Sequence, residues 1–264
     1  MRVRGAIPPE AIMFAIISDI HSNLEALRRV LDDIARRKIE TIYCLGDVIG
    51  YGPDPAECLD VVAQAVRWSL CGNHDHAVFY EPANFNPAAE RAAFWTRTRL
   101  EEETDSTKRN ARWRFLGGLS PRHEMDGLLF VHGSPRKPIN EYLFPDDVFT
   151  APQKLLANFD RMEQLTCFCG HTHVPGVFVD DPYFEPPDEL GDDLRYTIGN
   201  EKVIINVGSV GQPRDRDPRA AYVVVDGDCV EFIRVEYDVR VTAKRIQDNP
   251  NLDDFLGARL FEGK

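Results

Sequence analysis

A mixed α/β (α+β) fold follows from three features of the 264-residue sequence. Short apolar runs alternate with amphipathic stretches through the first third. Short strands joined by tight turns fill the second half. Side chains able to do chemistry fall at or just past the ends of the apolar runs. Strand, helix and strand in succession imply parallel pairing through right-handed crossovers. A turn such as Gly227-Asp228 between two apolar runs implies antiparallel pairing.

The elements follow in order. Residues 1–11 read as a loose leader ahead of Met13. Ala15 to Asp19 reads as a buried strand, and Ser22 is placed to cap a helix running to about Lys38, because Leu24, Leu27, Leu31 and Ile34 recur at helical spacing. Thr41 to Leu45 is a second strand. Asp54 to Val66 is a second helix, with Pro55 suited to its first turn, and Trp68 to Cys71 is a third strand. Pro87–Glu103, Lys108–Leu116 and Pro152–Phe159 read as helices. Leu128–Val131, Leu165–Cys169, Gly176–Val179, Val203–Val207, Ala221–Asp226 and Val230–Tyr237 read as strands, and residues 239–264 as a C-terminal helix and tail. No internal repeat or low-complexity linker interrupts them, so a single domain over 1–264, with its core at about 13–238, is expected.

Composition narrows the function. Hydrophobic residues make up 43% and charged residues 28%, as in globular proteins. The apolar run Ile12–Ile17 is too short for a membrane anchor and lacks a cleavage site, so no membrane association is expected. The formal charge of -12 repels nucleic acid and anionic lipid, and a nuclease would want a basic groove. The six cysteines sit mostly in apolar runs, and Cys167 and Cys169 lack redox or zinc-pair spacing; buried thiols in a reducing cytoplasm are expected.

Asp19, Asp47, Asn73, His132 and His171 lie at strand ends, the edge where open α/β sheets bind ligands. With His21 and His173 they form a metal-competent set, since Asp-x-His and His-x-His direct alternate side chains to one side. Imidazole with carboxylate suits Mn, Fe, Co, Ni or Zn. A carboxylate such as Asp47 can bridge two ions, and water between them becomes a hydroxide nucleophile near neutral pH. Two divalent ions outweigh two aspartates, so the centre stays positive and attracts an anionic substrate.

The series Asp19-Ile20-His21, Gly46-Asp47 with Gly50-Tyr51-Gly52, Gly72-Asn73-His74-Asp75, Val131-His132-Gly133 and Gly170-His171-Thr172-His173 resembles the calcineurin-like metallophosphoesterases, in that family's order, over about residues 13–238. Gly208-Ser209-Val210-Gly211-Gln212-Pro213-Arg214 resembles the small bacterial and archaeal phosphodiesterase branch, with Val207 where that branch usually has proline. The resemblance implies a two-sheet β-sandwich flanked by helices, a four-layer αββα architecture. It implies one metal on Asp19, His21 and His173, another on Asn73, His132 and His171, and Asp47 bridging them. It also implies His74 as the acid facing the substrate, with Asp75 orienting it.

The expected activity is hydrolysis of a small phosphate ester, as a phosphodiesterase or phosphatase. A protein phosphatase or a dinucleoside tetraphosphate hydrolase would use the same centre, and a non-catalytic scaffold would be expected to lose ligands or His74. Other residues stay open. Arg214 either forks onto a phosphate or pairs with Asp215 or Asp217. His123 is expected in a solvated polar loop, and His76 at the surface or behind the ligands. Phe94, Trp95, Trp113 and Phe115 form either a stacking wall or core. Residues 180–195, rich in Asp, Glu and Pro, form either a solvated loop or an acidic rim at the cleft mouth.

Overall fold

Residues 13–264 are described in the computed structural model; the leader expected over 1–11 lies outside them. In chain order the strands are β1 (Phe14–Ile17), β2 (Thr41–Cys44), β3 (Trp68–Ser69), β4 (Arg122–Met125), β5 (Leu128–Val131), β6 (Thr166–Cys169), β7 (Gly176–Val179), β8 (Tyr183–Glu185), β9 (Arg195–Thr197), β10 (Val203–Asn206), β11 (Ala220–Asp226) and β12 (Cys229–Val235). The helices are α1 (Leu24–Arg36), α2 (Pro55–Ala65), α3 (Asn73–Phe79), α4 (Pro87–Glu101), α5 (Ser106–Gly117), α6 (Asp147–Thr150), α7 (Pro152–Arg161), α8 (Val239–Gln247) and α9 (Asp254–Ala258).

Two six-stranded sheets result, in the orders β3-β2-β1-β11-β12-β9 and β4-β5-β6-β10-β7-β8. β1, β2 and β3 are parallel neighbours, as are β5, β6 and β10; β4, β7, β8, β9, β11 and β12 add antiparallel. Period-two alternation explains why these strands are apolar on both faces. In β1, Phe14 and Ile16 point into the layer between the sheets, while Ala15 and Ile17 pack under the helices. In β6, Phe168 faces the inter-sheet layer, and Cys167 and Cys169 face Leu155 and Phe159 of α7. The layers run helix, sheet, sheet, helix, the four-layer architecture expected.

Several local expectations are corrected. Asn23, not Ser22, caps α1: its side chain accepts from the Ala26 amide at 3.2 Å. Ser22 has φ +55°, outside the extended conformation a cap needs. The third strand stops at Ser69, with Leu70 making only an isolated bridge to Ser120. His123 lies in β4, half-buried against the Trp68 ring at 4.6 Å, and not in a solvated loop. Trp95, Trp113 and Phe115 pack against the core, whereas Phe94 is 43% exposed. All six cysteines are free; Cys71 and Cys229 are only half-buried.

The acidic segment 180–195 is not a free loop but supplies an edge strand to each sheet. β7 starts at Gly176 opposite Asn206 and ends at Val179 opposite Val203, so the segment leaves from the edge away from the ligand-bearing strand ends, and β8 runs back along β7 until Glu185 lies opposite Val177. The segment then supplies β9, which pairs with Cys229–Glu231 at the far end of β12. Leu190, Leu194 and Tyr196 close over the inter-sheet core there, so apolar burial rather than charge decides the path.

Candidate active site

The ends of β1, β2, β5, β6 and the first turn of α3 bring all seven expected ligands together, each 7% exposed or less. The turns that carry them are unusual. Asp19, His21, Asp47, His171 and His173 all have φ between +49° and +67°. Non-glycine residues rarely adopt this left-handed conformation, and each costs about 1–3 kcal/mol where the surroundings enforce it. A Cβ at Gly72 would collide with the Asp47 carboxylate, so the chain needs glycine there.

The atoms fall into two groups. Asp19 Oδ1 lies 3.1 Å from His173 Nε2 and 3.7 Å from His21 Nε2, and the two imidazole nitrogens are 3.1 Å apart. In the second group His132 Nε2 lies 3.2 Å from Asn73 Oδ1 and 3.1 Å from His171 Nδ1. Asp47 Oδ2 faces both, at 3.6 Å from His21 Nε2 and 3.3 Å from His132 Nε2.

Counting donors tests whether metal ions suit this cluster. His173 Nδ1 lies 2.6 Å from the Gln212 carbonyl and His132 Nδ1 3.0 Å from the Leu45 carbonyl. An N–H on each Nδ1 satisfies those carbonyls, so in the neutral ring it is Nε2 that offers a lone pair inward. Carboxylate oxygens, an amide oxygen and imidazole lone pairs thus converge with too few protons to separate them. Asp19 Oδ1 and His171 Nε2 are buried without a hydrogen-bond partner. Such a concentration of acceptors fits divalent cations.

Electrostatics agree. Burial holds His171 and His173 down at about 3, which keeps them neutral and able to ligate. Burial works against ionisation of Asp19, but the neighbouring His173 and His132 outweigh it and hold the carboxyl well below its usual range. Burial also opposes charge on His132, yet Asp47 and Asp19 raise it to about 9, so the protein without metal keeps there a proton that a cation would displace.

His74 sits outside these groups. Its amide donates to Asp47 Oδ1 at 2.7 Å, and its ring meets Tyr51, Phe85 and His21 at 4.3, 4.6 and 4.8 Å. Burial pushes it well below its ordinary value. Asp75 does not orient this ring, contrary to expectation. Its carboxylate accepts from the amides of Asp47, Gly72, Val48 and Ile49 at 2.7, 3.0, 3.0 and 3.3 Å. It sits in the first turn of α3 and fastens the Asp47 loop; His74 Nδ1 has no hydrogen-bond partner.

A family model for the calcineurin-like phosphoesterase superfamily domain matches residues 12–228. The chain belongs to this superfamily. It is 37% identical to the uncharacterized protein MJ0912 of Methanocaldococcus jannaschii, over 96% of this chain and 98% of that one. A metallophosphoesterase from Sphaerobacter thermophilus superposes with a TM-score of 0.81 at 35% identity, over 97% of this chain and all of that one. The hypothetical protein PH1004 of Pyrococcus horikoshii OT3, at 19% identity and TM-score 0.73, shares the fold over 96% of this chain and 99% of that one. The protein is therefore a hydrolase of phosphoric ester bonds in a metal-dependent family. Among the described residues no helix is long and apolar enough to cross a membrane.

The rest of this phosphoesterase site adds residues that sequence reasoning missed. Tyr142 stacks on His171 with ring centroids 3.7 Å apart. Beside Asn73 and His171 opens a cleft of ≈ 210 Å³ whose wall includes His76, Asn84, Phe85, Asn140 and Tyr142. Asn84, Asn140 and Tyr142 lie outside the recognisable motifs, so spacing alone gave no sign of them. Arg214 has neither expected aspartate as partner: Asp215 pairs with Arg234, and Asp217 with Arg219 and Arg234. Its guanidinium instead donates to Gln212 Oε1 at 2.6 Å and lies 5.8 Å from the centre of the Tyr51 ring.

Proposed function

We propose that this phosphoesterase hydrolyses a small phosphate diester or monoester with two divalent ions. One would be held by Asp19, His21 and His173, the other by Asn73, His132 and His171, and Asp47 would bridge them. The observation that carries this reading is the convergence of acceptors in two groups with Asp47 facing both. Bound there, the ions would supply Lewis-acid charge and lower the pKa of water toward neutrality. The imidazole-rich set favours Mn, Fe, Co, Ni or Zn over magnesium.

The chain's own residues do the rest. His74, neutral in the free protein, donates a hydrogen bond to the leaving oxygen. It becomes the proton donor once a phosphate anion offsets its burial. Arg214 engages non-bridging oxygens with its guanidinium fork. The cleft of ≈ 210 Å³ beside Asn73 receives the esterifying group, and its size favours a small one. A charge of -12 disfavours polynucleotides, and a cytoplasmic location fits the six free cysteines.

Screening the metal-reconstituted protein against diesters, monoesters, dinucleotides and phosphopeptides tests the reading. Turnover of a small ester, lost on chelation, is expected; no turnover of any class with any of these metals overturns it.

A further inference from the structure

The histidines of the metal-competent cluster are not all held in the same way. His132 and His173 each turn Nδ1 to a backbone carbonyl, of Leu45 and of Gln212, which fixes the ring and aims Nε2 inward. His171 is reversed. Its Nδ1 faces the cluster, 3.1 Å from His132 Nε2, and its outer Nε2 is buried without a hydrogen-bond partner. His21 also lacks a partner on its outer nitrogen, but its ring is wedged among those of Tyr51, His74 and His173, each 4.8 Å away. His171 has neither an outer carbonyl nor such a wedge. Its amide donates to Asp19 Oδ2 at 2.9 Å, which fixes the backbone and leaves the ring torsion open, and that torsion is broad in histidine.

Tyr142 removes this freedom. Its ring lies nearly parallel to the His171 imidazole, at 21° and 3.7 Å between centroids, against 58° and 4.8 Å for His171 and His132. At van der Waals contact over a face, the imidazole cannot turn edge-on without entering the tyrosine ring. The loop that carries Tyr142 is braced on both sides. Before it, the Glu141 carboxylate accepts from Ser134 Oγ at 2.7 Å and from the Asn158 side-chain amide at 3.0 Å. After it, Leu143 is buried with Val131 and Phe159, and the Phe144 amide donates to Asp147 Oδ2 at 2.7 Å. The Lys154 ammonium donates to the Tyr142 carbonyl itself at 3.1 Å. Tyr142 is 38% exposed, so the brace does little to bury it; what the brace fixes is the contact with His171.

We infer that Tyr142 is the positioning residue of His171: its ring takes the place of the outer hydrogen bond that His132 and His173 have, and so sets the affinity of the Asn73–His132–His171 site for its metal ion. The inference rests on the two-metal reading. An imidazole free to turn offers Nδ1 to the cluster only part of the time, and apparent affinity falls by that fraction. The site formed by Asp19, His21 and His173 does not depend on Tyr142.

Binding of Zn or Mn to the metal-free protein, read by competition with a chelator of known affinity, tests this without any substrate. Wild type is expected to hold two ions per chain. Tyr142→Leu should hold one ion as wild type does and bind the other about tenfold or more weakly, in the range seen when an outer partner of a ligand is removed. Tyr142→Phe keeps the ring face and should return that affinity to within about threefold of wild type. In a His132→Ala background, which already lacks the second site, Tyr142→Leu should leave the remaining ion unaffected. The ion retained at full affinity shows in each case that the protein is folded. Unchanged affinities in Tyr142→Leu, weakening of both ions, weakening that persists in His132→Ala, or no recovery in Tyr142→Phe overturns the inference alone. Fewer than two ions in wild type overturns the two-metal reading and the inference with it.

Discussion

The two ends of the same sandwich are built to opposite rules. At the end formed by Asp19, Asp47, His132 and His171, the strands run out into turns with left-handed residues and buried polar atoms that lack partners. At the opposite end, residues 180–197 wrap back, place Leu190, Leu194 and Tyr196 on the inter-sheet core, and meet Glu231 through an Arg195 ion pair at 3.0 Å. The first end gathers five ligand residues in conformations that cost free energy, as functional sites tend to do. The second end is organised by burial, with Leu194 at φ +52° its one left-handed non-glycine residue among 180–197. The difference teaches that charge density alone does not mark a site: the acidic stretch 180–195 supplies β8 and β9, the edge strands of the two sheets, and none of the clustered ligands.

If that contrast is right, chelation produces the largest effect. Removing divalent ions should abolish ester hydrolysis while leaving the fold intact by circular dichroism. Adding back Mn, Co, Ni or Zn should restore more activity than Mg; best recovery with Mg contradicts the imidazole-rich ligand set. Next comes His74→Asn, expected to keep the metals and lower kcat by roughly 10²–10⁴-fold. The loss should shrink for esters with good leaving groups, and an equal loss for good and poor ones removes His74 as the proton donor.

The opposite end should respond in stability rather than in catalysis. Ile198→Ala, at the close of the wrapping segment and 8% exposed, should lower unfolding free energy by about 2–5 kcal/mol in denaturant titration. Its kcat at temperatures where it is folded should match wild type; a large kcat loss would show that the two ends are coupled. The smallest effect is expected on neutralising Asp188, Asp192 and Asp193 to Asn. At low salt, kcat/KM for a small diester and for a long polyphosphate should both stay within about twofold of wild type, since these charges are exposed, belong to none of the ligand groups and are screened beyond about 10 Å at 0.1 M salt. A selective gain on polyphosphate would return the segment to the cleft.

This division also explains what the sequence made legible. Strands buried on both faces are continuous apolar runs, so Phe14–Ile17, Thr166–Cys169 and Val203–Asn206 stood out, and the ligands at their ends with them. β4, β8 and β9 were missed because they are three- or four-residue edge strands of mixed polarity, whose pairing is decided by distant partners. Asp75 was misread because adjacency to His74 suggested a ring partner. In the first turn of a helix a carboxylate finds backbone amides instead. Tyr142 reaches the site through tertiary packing, and no spacing rule announces that.

The account stands or falls on Asp47 joining two metal positions. Metal content per chain, measured by mass spectrometry on wild type and Asp47→Asn after equilibration with Mn or Zn and removal of free ions, addresses this most directly. Two ions per chain in wild type and clearly fewer than two in Asp47→Asn, with turnover lost, is the predicted result. Two tightly held ions in the Asp47→Asn protein would contradict it.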